Sequence, residues 1–117
     1  MNDQLLKTLQ EVHLAVWNEK DRAKRDALIQ TIYADNIKMY DKEFVLHGNT
    51  EVSDFIGKLH TDDPDFNFSA AKPMESIQNG ARLYGHIRTG QGVLHSMDFF
   101  ILEEGKVLHL YAFMDMP

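Results

Sequence analysis

The sequence contains no cysteine, which excludes a disulfide framework and any thiolate nucleophile. Basic residues are the minority charge, 12 lysines and arginines against 18 aspartates and glutamates for a formal net charge of −6. Nucleic acid demands a basic face, so no nucleic-acid partner is expected. No apolar run approaches the roughly 20 residues that cross a bilayer. The N-terminal "MNDQLLKTLQEV" also lacks the basic-then-apolar pattern of a secretory signal. A soluble, cytoplasmic protein with no membrane partner is therefore expected. The six histidines form no H-x-H or H-x-x-x-H pair, and "DDPD" lacks the glycine turn and distal glutamate of a calcium loop, so no metal is expected. No serine stands in a nucleophile-elbow word.

At 117 residues the chain is expected to form a single domain, 1–117, with one core in or on which any site must be built. Leu5, Leu9, Val12 and Val16 recur at three- and four-residue steps, with Leu6, His13 and Trp17 beside them, the stripe of an amphipathic helix. His13 falls on its inward edge. A second helix is expected from about Arg22 to Ala34, burying Leu28, Ile29, Ile32 and Tyr33 and showing Lys24, Arg25 and Asp26 to water. The short connection between the two helices implies that they pair.

"NIKMYD" then switches the period to two, placing Ile37, Met39 and, by parity, Asp41 on one face. "KEFVLHG" reads as a short strand, and "GNTEVSDFIGKL" as a third helix capped by Asn49 or Thr50 with Val52, Phe55, Ile56 and Leu59 inward. Strands are expected over Phe66 to Lys72, Glu75 to Arg88, Val93 to Glu103 and Lys106 to Met114, with "NG", "TGQG" and "EEG" as turn signals and "EEGK" closing a final hairpin. Helices first and long strands afterwards is an α+β order.

Within this pattern "HSMDFFIL" places Asp98 in an otherwise apolar strand. A buried carboxylate is costly unless it is paired, hydrogen-bonded or protonated, so Asp98 needs either a structural partner or a chemical task. The strand is apolar on both faces, Leu94, Phe100 and Leu102 on one and Met97, Phe99 and Ile101 on the other. Such a sheet needs a second cover, and a homodimer through the outer face is the expectation.

The order of elements, with "YADNIKMYD", "HGNTEVSDFI" and "SMDFFILEEGKVLHLYAFMD" in sequence, resembles the nuclear transport factor 2-like superfamily, especially its bacterial SnoaL-like proteins. The resemblance implies an α+β cone-shaped barrel, a curved mixed or antiparallel sheet wrapped around three helices from the first half of the chain. It is similar also to ketosteroid isomerase, where an aspartate base works beside a neutral aspartic acid. Carried over, the base is Asp41, the aspartic acid is Asp98, and the tyrosine donor of the first helix, five residues before Asn18, is replaced by His13. An imidazole can donate, accept or become charged, and an imidazolium beside Asp98 would favour the carboxylate rather than the acid.

What the resemblance implies for function is a cofactor-free isomerase, cyclase or dehydratase acting by acid-base chemistry on an apolar carbonyl compound. Asp41 would be the base, with Asp98 and His13 as donor or orienter. Parity with Asp98 and the resemblance together suggest Trp17, Tyr33, Met39, Phe55, Leu59, Leu83, Phe100 and Met114 as walls for an apolar or aromatic small molecule. Arg82, Tyr84, His86, His109, Tyr111 and Phe113 would face outward. Each candidate also has a purely structural reading: Asp98 tying the sheet to His13, Asp41 opening a turn, His13 satisfied in the core. The alternative is a non-catalytic ligand-binding or dimeric interaction domain of the same fold.

Overall fold

A computed structural model describes residues 1–115, so the last two residues of the expected 1–117 domain lie outside it. Helix α1 (Asp3–Asn18) starts where the Asn2 side chain accepts a hydrogen bond from the Leu5 amide, and it buries Leu9, His13, Val16 and Trp17. Helix α2 (Arg22–Ile32) is capped in the same way by Asp21 through the Lys24 amide. It ends two residues earlier than the periodicity suggests. Tyr33 has extended backbone angles and pairs with Val107, so it opens strand β1 (Tyr33–Tyr40) instead of closing the helix.

Arg25, expected at the surface, is instead 2% exposed. Its guanidinium donates to Ser53 Oγ and to the Glu19 carbonyl, binding α2 to α3. Gly57 makes room for it, since a Cβ there would come within 3.1 Å of the guanidinium. Burial pushes the Arg25 pKa down from its ordinary value.

Strand β2 (Val45–His47) leads into α3 (Gly48–Asp62). Neither Asn49 nor Thr50 caps this helix. The chain turns in at Gly48, whose φ of +85° suits glycine, and the Glu51 carboxylate accepts from the His47 amide. The remaining strands are β3 (Asn67–Ala70), β4 (Glu75–Ile77), β5 (Gly80–Thr89), β6 (Gly92–Glu103) and β7 (Lys106–Asp115). The "NG" signal thus splits the expected Glu75 to Arg88 strand at a two-residue turn, with Gln78 at φ 54°. The final hairpin turns through Glu104 and Gly105, both at positive φ, the primed-turn geometry that matches strand twist.

One seven-stranded sheet results, in the order β2-β1-β7-β6-β5-β3 with β4 paired to β5. β1 runs parallel to β7 and, among the described residues, every other pairing is antiparallel, so the sheet is mixed. Three helices against this curved, unclosed sheet make the expected α+β cone. In the β6–β7 ladder Leu102 pairs with Val107 and Ile101 with His109, leaving Leu108 as an extra residue. That bulge reverses the parity of β7, so Val107 and Leu110 both point into the core.

The core lies between the concave sheet face and the helices, with Tyr33, Ile37, Leu83, Phe100 and Leu110 fully buried. Asn18 joins the end of α1 to the sheet: its amide donates to the Phe68 carbonyl and accepts from the Phe68 N–H, at 2.8 and 2.7 Å. Among the described residues no helix is long and apolar enough to cross a membrane.

Candidate active site

On the inner face of β6, Leu94, Ser96, Asp98, Phe100 and Leu102 succeed one another as period-two alternation requires. Asp98 is 8% exposed, and its Oδ2 lies 2.9 Å from Nε2 of His13, which is wholly enclosed on α1. The other ring nitrogen of His13, Nδ1, lies 2.6 Å from the Tyr33 hydroxyl. That hydroxyl also accepts the Trp17 indole N–H at 3.1 Å. Trp17, Tyr33, His13 and Asp98 therefore form one buried chain of hydrogen bonds, drawn from α1, β1 and β6.

The direction of that chain follows from counting protons. An indole nitrogen can only donate, so Tyr33 Oη is an acceptor toward Trp17 and has a single proton to place. Among the described residues its remaining partner is His13 Nδ1. If Nδ1 carried a proton, the phenol proton would be left buried without an acceptor, at a cost of about 1–3 kcal/mol. Burial pushes the Tyr33 phenol well above its ordinary pKa, which keeps that proton in place. Tyr33 therefore donates to Nδ1, Nε2 carries the imidazole proton, and His13 donates to Asp98.

Beside Asp98 a cavity of about 150 Å³ opens between the sheet and helices α1 and α3. Its walls are apolar: Trp17 from α1, Phe55 and Leu59 from α3, Phe66 and Phe68 around β3, and Met39, Ile87, Leu94 and Leu110 from the sheet. Phe113 and Met114, both exposed, border its mouth. Phe113 was expected on the outer face. Near the end of β7 this residue and its neighbour both reach the rim.

Four polar side chains line the cavity: Asp41, Thr89, Ser96 and Asp98. The Asp98 oxygen not held by His13, Oδ1, has no hydrogen bond among the described residues. Asp41 lies just beyond β1, where its Oδ1 accepts the Glu43 N–H and its backbone N–H bonds the Phe44 carbonyl. Extending the parallel β1–β7 register past Tyr40↔Tyr111 sets Asp41 beside Ala112, whose antiparallel partner is Asp98. The two carboxylates thus share one row of the sheet with a small residue between them, about 10 Å apart at the backbone from two strand spacings.

Of the suggested wall residues, Trp17, Met39, Phe55, Leu59 and Met114 border the cavity. Tyr33, Leu83 and Phe100 lie fully buried outside its lining. His13 is also enclosed behind Asp98, where it reaches the cavity only through that carboxylate. Phe66, Phe68, Ile87, Leu94, Leu110 and Ser96 were not singled out as wall residues. Parity with Asp98 marks Leu94 and Ser96 as inward-facing; the curvature that brings Phe66 and Phe68 across to them has no local signal.

On the outer face, Tyr40 stacks on Tyr111 with ring centres 4.4 Å apart, and its hydroxyl lies 3.1 Å from His109 Nδ1. Lys72 and Arg82 both lie over the Tyr84 ring.

No family model matches the sequence, and neither does any curated protein. Solved structures do. A protein from Agrobacterium tumefaciens, named as an isomerase of the SnoaL-like family, superposes with a TM-score of 0.86 at 23% identity, over 97% of this chain and 99% of that one. A nuclear transport factor 2-like protein of unknown function from Cytophaga hutchinsonii gives 0.69 at 16% identity, covering 92% of this chain and 85% of the other. A protein from Jannaschia sp. CCS1, named for the SnoaL-like polyketide cyclases, gives 0.74 at 11% identity, covering 98% and 90%. At these identities the likeness is one of fold.

Proposed function

We propose, from the premise that this chain has the cone-shaped nuclear transport factor 2-like fold, that it binds a small apolar carbonyl compound and moves protons on it without a cofactor. The observation that carries this reading is the free Oδ1 of Asp98 at the cavity wall while Oδ2 is held by His13. A carboxylate oxygen so placed can accept a proton from a ligand held against the apolar walls. The Tyr33–His13 pair fixes its position and is not available to the ligand. Asp41, across Ala112, is a second carboxylate that can accept or return a proton at the cavity mouth.

In such a reaction Asp98 takes the proton from the carbon next to the carbonyl. The C–H electron pair becomes the carbon–carbon double bond of an enolate, and the carbonyl π pair moves to oxygen. Where the substrate carries a β,γ double bond the enolate is a dienolate: the oxygen pair re-forms the carbonyl, the enolate double bond moves to the α,β position, and the former β,γ pair takes the proton at the γ carbon, an isomerisation with no oxidant or reductant. Asp98 thus acts as the base here, whereas the resemblance to ketosteroid isomerase implies a neutral donor at this position. The likeness to a SnoaL-like protein named as an isomerase agrees with this reaction class.

The test is conversion of 3-cyclohexen-1-one to 2-cyclohexen-1-one, followed by the ultraviolet absorbance of the conjugated product. Asp98→Asn should lower the rate by about 10²–10⁴-fold, the usual contribution of a positioned acid or base. Asp41→Asn should lower it less, and both variants should keep native circular dichroism. Full activity in Asp98→Asn, or no acceleration by the unmodified protein, would overturn the proposal in favour of a binding role alone.

A further inference from the structure

Ser96 is 7% exposed and lines the cavity, and among the described residues its Oγ is a buried polar atom without a hydrogen-bond partner. Most buried hydroxyls in folded proteins are paired, and an unpaired one costs about 1–3 kcal/mol. Its place in the ladder is also specific. Ser96 stands opposite Gly85, and a Cβ at Gly85 would come within 2.9 Å of the hydroxyl and overlap the Phe68 ring. The missing side chain at Gly85 thus leaves the space beside which the Ser96 hydroxyl sits, while Ser96 itself lines the cavity, so reaching a ligand there requires a change of the Ser96 χ1 rotamer.

Ser96 and Asp98 are two residues apart on the same face of β6, about 7 Å along the strand. A carbonyl group and its neighbouring carbon span such a gap with one hydrogen bond at the oxygen and one proton-accepting contact at the carbon. The cavity volume sets the rest of the ligand. About 150 Å³ is the size of an apolar cavity that holds one benzene ring. A four-ring skeleton does not fit inside it.

We propose that the cavity selects a single-ring or similarly compact carbonyl compound, with Ser96 Oγ donating to the carbonyl oxygen and Asp98 Oδ1 facing the adjacent carbon. This deepens the acid-base reading and rests on it for the role of Asp98. As negative charge moves onto the oxygen during proton removal, the Ser96 hydrogen bond strengthens, which is the behaviour expected of an oxyanion donor. Ser96 supplies the donor that an acceptor-type Asp98 cannot.

Binding of three probes by nuclear magnetic resonance titration separates the possibilities: cyclohexanone, its isostere methylenecyclohexane, and the four-ring ketone 4-androstene-3,17-dione. The unmodified protein should bind cyclohexanone about tenfold more tightly than methylenecyclohexane, the value of one net hydrogen bond. Ser96→Ala should reduce that ratio to about twofold or less, the expected loss of this preference. Its affinity for methylenecyclohexane should be unchanged, and its folding stability equal or higher because an unpaired hydroxyl is removed. The steroid should bind more weakly than cyclohexanone. An unchanged ratio in Ser96→Ala, or tighter binding of the steroid, would overturn this inference. If either result came with Asp98-dependent isomerisation, the acid-base reading would survive and only the assignment of Ser96 and of ligand size would fall.

Discussion

The Tyr33 hydroxyl lies 2.6 Å from Nδ1 of His13, and this contact decides how the buried imidazole is protonated. With Trp17 already donating to the phenol oxygen, the phenol proton goes to Nδ1 and the imidazole proton to Nε2. The histidine that stands where the resemblance implies a tyrosine donor thus reaches the cavity only through Asp98.

Nitrogen-15 spectra of the histidines test this arrangement. At neutral pH His13 should show a protonated Nε2 and a hydrogen-bonded, unprotonated Nδ1. A protonated Nδ1 would refute the direction of the chain. Tyr33→Phe should remove the hydrogen bond at Nδ1 and strand the Trp17 indole, destabilising the protein by about 1–3 kcal/mol in urea unfolding.

Stability at high pH gives a second test. Burial raises the Tyr33 phenol above its ordinary value of 10.0. Above that pH the unfolded chain has released this proton while the folded protein still holds it, so folding stability falls as pH rises. Below it, this residue's contribution is fully present. The slope of unfolding free energy against pH beyond 10 should be steeper in the unmodified protein than in Tyr33→Phe. The difference should approach one proton, about 1.4 kcal/mol per pH unit. Identical slopes would mean that the phenol titrates alike in both states.

Gly85→Ala probes the wall next to Ser96. The added methyl would overlap the Phe68 ring and crowd the Ser96 hydroxyl, at a cost of about 1–3 kcal/mol for an overpacked site. Because Phe68 lines the cavity, this variant should also weaken cyclohexanone and methylenecyclohexane together. A ligand affinity equal to the unmodified protein's would show that the Phe68 ring is free to move aside.

Much of this architecture was legible locally. The stripe through Leu9, His13 and Val16 marked α1 and turned His13 inward, and alternation along β6 put Asp98 with Phe100 and Leu102. Asp41 followed from parity with Met39. Tyr33 was misplaced because an apolar residue after Ile32 continues a helical stripe as well as it begins a strand; only pairing with Val107 distinguishes the two. Arg25 was misplaced because its burial depends on Ser53 and Gly57, residues of another helix.

The sequence by itself determined the order of the elements and the inward facing of residues such as His13 and Asp98, because helical and strand periods are properties of neighbouring residues. It also placed an aspartate where no apolar strand would tolerate one unpartnered. Only the tertiary structure decided what that aspartate is. Joining α1, β1 and β6 set the proton order from Trp17 through Tyr33 and His13 to Asp98, since a hydrogen bond's direction depends on every donor and acceptor at both ends. Curvature of the sheet likewise fixed the cavity at about 150 Å³, a volume set by distances across the cone that no local pattern records.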